Sequence, residues 1–367
     1  MKKILVYWVV ALMASLLSCT KSDDVPTVQD SAIKIEVADM QSQQTRAHLL
    51  NTEDDVKAEG EFGLNAYLTN GGNTYFENAW VYYFIPDYGE PQWRFRDVVN
   101  QDNLVNFYWP NDSNVNFVAY MPRILNKCAA TIENISYTSA EGMQFNATMP
   151  TEITDITPAD RVAENNNLEF VYACSLNQGK DVGDDGTVKL RFVHPFAMIK
   201  FRLAQSHRDL TIHSITLHNL GYKGSFASTD DTYATLTKDN LEELTQDYLT
   251  DRNWTISTKD NYTIQLDKKV PEDINYTSQI GGPYMVIPQN LSGVTLSINY
   301  TWDTANNVTT TEVPISTNDV VPAWLPGKIY TYHLNLGDNK EEVLFMVTVE
   351  DWKKGEDDGY ENNYEVK

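Results

Sequence analysis

The chain has 367 residues, with 51 Asp and Glu against 28 Lys and Arg, a formal net charge of −23 at pH 7. That balance argues against nucleic-acid binding, which needs a basic face, and suits a soluble, mutually repelling surface domain. Three cysteines are too few for a disulfide framework, and 11% aromatics, 21 of them tyrosine, more often fill sandwich cores than decorate surfaces.

At the N-terminus, Lys2 and Lys3 precede the mostly apolar run 4–17, and the small Ser18 precedes Cys19. Charge, apolar stretch and small residue in that order make a secretory signal. The run, about 14 residues, is shorter than the roughly 20 a spanning helix needs, so residues 1–18 are expected to be removed. Leu16-Leu17-Ser18-Cys19 resembles the bacterial lipobox, which implies that Cys19 is lipidated and becomes the new N-terminus. Two or three acyl chains, palmitate among them, meet the roughly two-signal threshold for stable anchoring. Lys21, Asp23 and Asp24 resemble the lysine-plus-acids tag that sends Bacteroidetes lipoproteins to the outer face of the outer membrane.

Next in the chain, Ile33, Ile35 and Val37 alternate with charged residues as a compact strand, followed by the polar run 39–45 and Arg46-Ala47. Exposed linkers are where proteases cut, so this strand reads as removable. Its loss would open a sandwich and leave an unpaired edge beside an apolar groove, which accepts a strand from another chain. Residues 48–60 are strongly polar and predict a loose start to the cleaved chain. Alternation then recurs at 62–68, 115–119, 188–192, 199–203, 212–217, 294–298 and 343–349. Such alternation sets one row of side chains in a core and the other in water. Turn clusters such as Asn70-Gly71-Gly72-Asn73 and Gly281-Gly282-Pro283 punctuate the runs. The pattern predicts an all-β fold of antiparallel sandwiches, with a short helix best placed at 238–249. The polar stretch 175–187 is the best hinge, dividing the chain into 47–187 and 188–367. Beyond Trp352 an acidic loop, 353–359, leads to Tyr360, Tyr364 and Val366. These three share parity, so an extended tail would present them on one face as a donor strand; a frayed terminus explains the tail as well.

Chemistry is sparse. The six histidines are scattered, and His213 and His218, five apart in a strand-like run, are expected on opposite faces and so make a poor metal pair. The loop 181–186 lacks the ligands of a calcium site: Gly183 occupies a ligand position and Phe192 stands where the closing glutamate belongs. No nucleophile elbow, phosphate loop, dinucleotide fingerprint or H-E-x-x-H occurs, so no catalytic residue, metal or cofactor is assigned. Carboxylate pairs arise by chance among so many acids and leave a hydrolase as a remote reading. Trp80, Trp93 and Trp109 would serve either as a sugar platform or as core. Cys128 and Cys174 leave a disulfide open in an exported protein.

The order of several segments resembles the fimbrillin family, the pilin subunits of Bacteroidales type V pili. "FYWPNDSNVNFVAYMP" at 107–122, "LEFVYACS" at 168–175 and "VKLRFVHPFAMIKFRL" at 188–203 match its first and central blocks, with Phe192 and His194 in the phenylalanine-x-histidine step. "YMVIPQN" at 284–290, "WLPGKIYTYHLNL" at 324–336 and "VTVEDW" at 347–352 match its C-terminal block. The resemblance implies two tandem transthyretin-like β-sandwiches and export as a lipoprotein. It further implies an arginine-specific protease that cuts after Arg46, freeing the lipidated propeptide 19–46 with its strand. The C-terminal strand of a neighbouring pilin subunit then fills the groove. A surface glycan-binding lipoprotein of two β-sandwiches is the alternative.

Overall fold

The computed structural model describes residues 32–37, 53–100, 103–154, 168–180, 186–205, 209–228, 253–270, 278–302, 307–315, 321–336, 343–351 and 362–365. The fold is nearly all β, as the alternation predicts.

The chain enters as β1 (Lys34–Val37) and then forms a short helix, α1 (Glu53–Glu59). After it come β2 (Glu61–Leu68), β3 (Thr74–Phe84), β4 (Gln92–Arg96), β5 (Leu104–Val105) and β6 (Val115–Met121). The helix corrects the expectation of a loose polar start at 48–60. Val56 is fully buried in the first core, Lys57 pairs with Glu53 one turn away, and Gly60 ends the helix at φ 75°. One buried apolar side chain and a left-handed glycine stop suffice to hold a short helix against a packed sheet.

Next come β7 (Thr131–Thr138), β8 (Gly142–Thr148), β9 (Glu152–Thr154), β10 (Val171–Gln178) and β11 (Thr187–Leu190). A six-stranded sheet runs in the order β10-β6-β2-β3-β4-β5. Its central strands are buried on both faces. Phe117 and Ala119 of β6, with Val171 of β10, face a first core, whereas Val118, Tyr120 and Tyr172 face a second. Burial on both faces explains why these strands read as nearly continuous apolar runs.

The remainder comprises β12 (Ala197–Gln205), β13 (Leu210–Ala227), β14 (Trp254–Val270), β15 (Ser278–Val286) and β16 (Thr295–Trp302). It ends with β17 (Thr309–Pro314), β18 (Lys328–Leu336), β19 (Val343–Asp351) and β20 (Asn362–Glu365). A five-stranded sheet, β15-β12-β18-β19-β20, packs on a seven-stranded one with the path β17-β16-β13-β14-β9, which β8 and β7 extend through β13. A third core of Leu, Ile, Val and aromatic side chains, with Trp324 at its heart, fills the space between them.

Four strands cross the expected boundary near 187. β11 lies in the first core, where Val188 and Leu190 are buried, and β7, β8 and β9 belong to the seven-stranded sheet. His213 and His218 also depart from expectation, for both point outward. The ladder of β13 slips between Ile212 and Ser214, which resets the alternation and turns both rings to one face. There His213 meets Asp267 and Thr301 at 2.9 and 2.8 Å, and His218 meets Asn261 and Ser297 at 3.1 and 2.8 Å. The helix expected at 238–249 lies outside the described residues.

Candidate strand-exchange groove

β1 stands apart from the large sheets. Among the described strands it pairs with β11, in parallel, from Lys34 opposite Thr187 to Val37 opposite Leu190. One step upstream, the Ile33 amide donates to the Phe107 carbonyl at 2.8 Å, and Ala32 bridges Tyr108. Alternation does the rest: Ile33, Ile35 and Val37 are 5, 7 and 2% exposed in the first core, among Phe62, Trp93, Phe95, Val188 and Phe192. Lys34 and Glu36 face outward, and Glu36 lies 3.7 Å from Lys189 on the neighbouring strand.

Among the described residues the opposite edge of β1 is not paired with a strand. A cleft of about 820 Å³ runs along it, between residues 32–36 on one side and Gln92, Trp93, Arg94, Phe95 and Leu104 on the other. β1 is therefore held by one short backbone ladder, the contacts of Ala32 and Ile33 with Tyr108 and Phe107, and three apolar plugs. Each plug is worth roughly 1.5–3 kcal/mol of burial. Withdrawing the strand would bare an apolar trough floored by the first core, with the β11 edge on one side and β4 and β5 on the other. Such a trough can accept any extended segment that offers backbone hydrogen bonds and apolar side chains at every second position.

The C-terminal tail is placed as an edge strand. β20 pairs antiparallel with β19, with Tyr364 opposite Val347 and Glu365 opposite Met346. Tyr360 and Val366 lie outside the described residues, as do Cys19, Lys21, Asp23, Asp24, Arg46 and Ala47. Cys128 and Cys174 are buried thiols rather than the two halves of a disulfide. Cys174 sits mid-strand opposite Val118, whereas Cys128 closes a short 3-10 turn. Burial, and secondarily the nearby Glu169 charge, pushes the Cys128 thiol well above its ordinary range, which suppresses the thiolate that oxidation requires. Among the described residues no group of three His, Cys, Asp or Glu could hold a metal ion. Trp93 and Trp109, 8 and 7% exposed, are part of the first core, and Trp80, 7% exposed, is covered by the Arg96 and Arg123 guanidinium groups on the other face of the sheet, so the three do not form an open sugar platform.

Sequence reading overlooked the far wall of the groove. The run Gln92-Trp93-Arg94-Phe95-Arg96 alternates as clearly as β1 does, and its inward rings were the available signal.

A family profile described as fimbrillin-like matches residues 45–352. No curated protein matches the chain. Among solved structures, a fimbrial protein from Bacteroides vulgatus is similar at 18% identity and a TM-score of 0.53, covering 88% of this chain and 99% of that one. The tip fimbrial protein from Porphyromonas gingivalis, with a C-terminal truncation, is similar at 10% identity and a TM-score of 0.38, covering 80% of this chain and 94% of that one.

Proposed function

This chain belongs to the fimbrillin-like family, and from that premise we propose that it is a structural, non-enzymatic subunit of a cell-surface fimbria that polymerises by strand exchange. The precursor is carried out by the signal at 1–18 and held at the outer membrane through lipid on Cys19, with Lys21, Asp23 and Asp24 directing it to the outer face. An arginine-specific protease cuts between Arg46 and Ala47 and frees the segment that carries β1. The C-terminal strand of another pilin subunit, with Tyr360, Tyr364 and Val366 as its plugs, then enters the vacated groove.

One observation carries this reading. β1 is joined to the described fold through one short parallel ladder, the Ile33–Phe107 hydrogen bond just before it and three plugs, with an open cleft at its other edge. A strand so placed completes the core yet can leave without dismantling any of the three large sheets. The incoming strand would restore the same ladder and plugs, and a continuous row of backbone hydrogen bonds makes such a joint slow to dissociate. The test is limited digestion with an arginine-specific protease, followed by N-terminal sequencing and a gel of unboiled samples. A new N-terminus at Ala47 with a ladder of resistant oligomers is expected. Resistance at Arg46, with β1 staying in place, would overturn the reading.

A further inference from the structure

The outer face of β3 and β4 carries a row of alternating cations and rings. The Arg123 guanidinium lies 4.2 Å from the Trp80 ring centre, Arg96 lies 3.8 Å from that of Tyr82, and Arg94 lies 4.8 Å from that of Phe84. A guanidinium stacked on a ring is fixed in orientation while its edge still faces outward, ready to donate two parallel hydrogen bonds to a carboxylate. Arg123 already has a carboxylate nearby, with its Nε 3.7 Å from Glu61, an ion pair too long for a hydrogen bond. Among the described residues no ion pair reaches Arg94 or Arg96. Arg94 has, among the described residues, the Gln92 amide oxygen, at 2.6 Å from one guanidinium nitrogen when that amide is turned toward it.

Two oriented cations without a carboxylate are conspicuous on a chain with 51 acidic residues. Their position adds to this. Arg94 stands on the rim of the cleft beside β1, and Arg96 follows it on the same face, about 6.6–6.8 Å farther along the strand. The sequence supplies a complement just ahead of the donor strand. Glu356, Asp357 and Asp358 precede the strand that begins at Asn362. Fully extended, the linking residues span at most about 20 Å. A donor strand lying where β1 now lies would run beside β4 and bring these acids to the rim.

We propose that Arg94 and Arg96 form a docking site for the carboxylates of Glu356, Asp357 and Asp358 of a second copy of this chain. The docking captures the incoming subunit at the rim before its C-terminal strand threads the groove. This rests on the strand-exchange reading and adds the means of recognition. Between subunits that carry the same large negative charge, mutual repulsion slows encounter, and a local patch of opposite sign steers it. The contact therefore acts chiefly on the association rate and weakens as salt screens it.

The test uses the full chain cleaved after Arg46 and a fluorescent peptide of residues 353–367, with association followed at low salt by anisotropy. Arg94→Glu/Arg96→Glu in the chain is expected to slow association about tenfold or more. Glu356→Lys/Asp357→Lys/Asp358→Lys in the peptide should do the same, and combining the two reversals should restore most of the rate. Near-UV circular dichroism establishes that the arginine variant is folded, and Arg94→Lys/Arg96→Lys, which keeps the charge, should lose less. An unchanged rate in the Glu variant overturns the docking site and leaves strand exchange standing. A slowed rate with no rescue by the reversed peptide overturns the named occupant. Polygalacturonate that binds the wild-type chain but not the variant would then identify an anionic glycan as the occupant. A native peptide that fails to bind at all sinks strand exchange and the docking site with it.

Discussion

Tyr120 lies across Gly63, where a Cβ would fall 2.3 Å from its ring, and its hydroxyl donates to the Asn78 side-chain oxygen at 2.8 Å. Burial, opposed by Arg123 and reinforced by Tyr67, pushes this phenol up to about 12. Burial also drives the fully enclosed Tyr332 upward, although its hydrogen bond with Trp324 pulls the other way. The native state therefore favours the neutral phenols, whereas the unfolded chain loses those protons near pH 10. Their contribution is complete below pH 10 and is lost as pH rises toward 12. Thermal melts across this range should show the fall, and Tyr120→Phe should make it shallower. Gly63→Val would drive branched carbons into the Tyr120 ring and is expected to cost about 1–3 kcal/mol or more in urea unfolding.

At the scale of elements, β1 and the bulged strand β13 are the informative cases. Ile35→Ala removes the middle plug of β1 and should weaken its attachment by about 2–5 kcal/mol. Because β1 lies outside the large sheets, the loss should appear as faster amide exchange at 33–37, with a smaller change in the global midpoint. On β13 the backbone slips at Gly221, and Gln289 fills the gap in the manner of a strand. Its side-chain oxygen accepts from the Gly221 amide at 2.7 Å, and its nitrogen donates to the Gly221 and Ile287 carbonyls at 3.0 Å each. Gln289→Ala leaves those buried groups unpaired, at about 1–3 kcal/mol for each group left unsatisfied. Calorimetry should find a variant that still folds but melts well below the parent.

Across the whole molecule, the three cores are coupled. The six-stranded sheet is shared by the first two, and β8 pairs with β13, tying residues 142–148 to the C-terminal sheets. Trp254 reinforces the junction by donating to the Pro195 carbonyl at 2.7 Å. Calorimetry of the intact chain should therefore show one cooperative transition. Cutting the chain at 187 strips the first core of β11 and the seven-stranded sheet of β7, β8 and β9, so neither fragment is expected to give a folded near-ultraviolet spectrum alone. Two independent transitions, or two folded fragments, would mean that these cross-sheet contacts add little.

Much of this protein was legible in its residues. The alternation of Ile33, Ile35 and Val37 identified a strand with one apolar face, and the period-two runs elsewhere gave the all-β class, because side-chain direction in a strand depends on local geometry alone. The order of motifs gave the family. Tertiary structure alone decided the rest. That β1 pairs with a strand some 150 residues away, and faces a cleft on its other edge, depends on which edges remain free once the large sheets have formed. The helix at Glu53–Glu59 forms because the first core receives Val56. The shared outward face of His213 and His218 follows from a bulge that leaves no mark in the local pattern. Arg94 and Arg96 look like ordinary polar residues of an alternating strand, and only the packed rings beneath them and the cleft at their side distinguish them. Local sequence fixes which way each side chain points, while its partners are set by strand edges far apart in the chain.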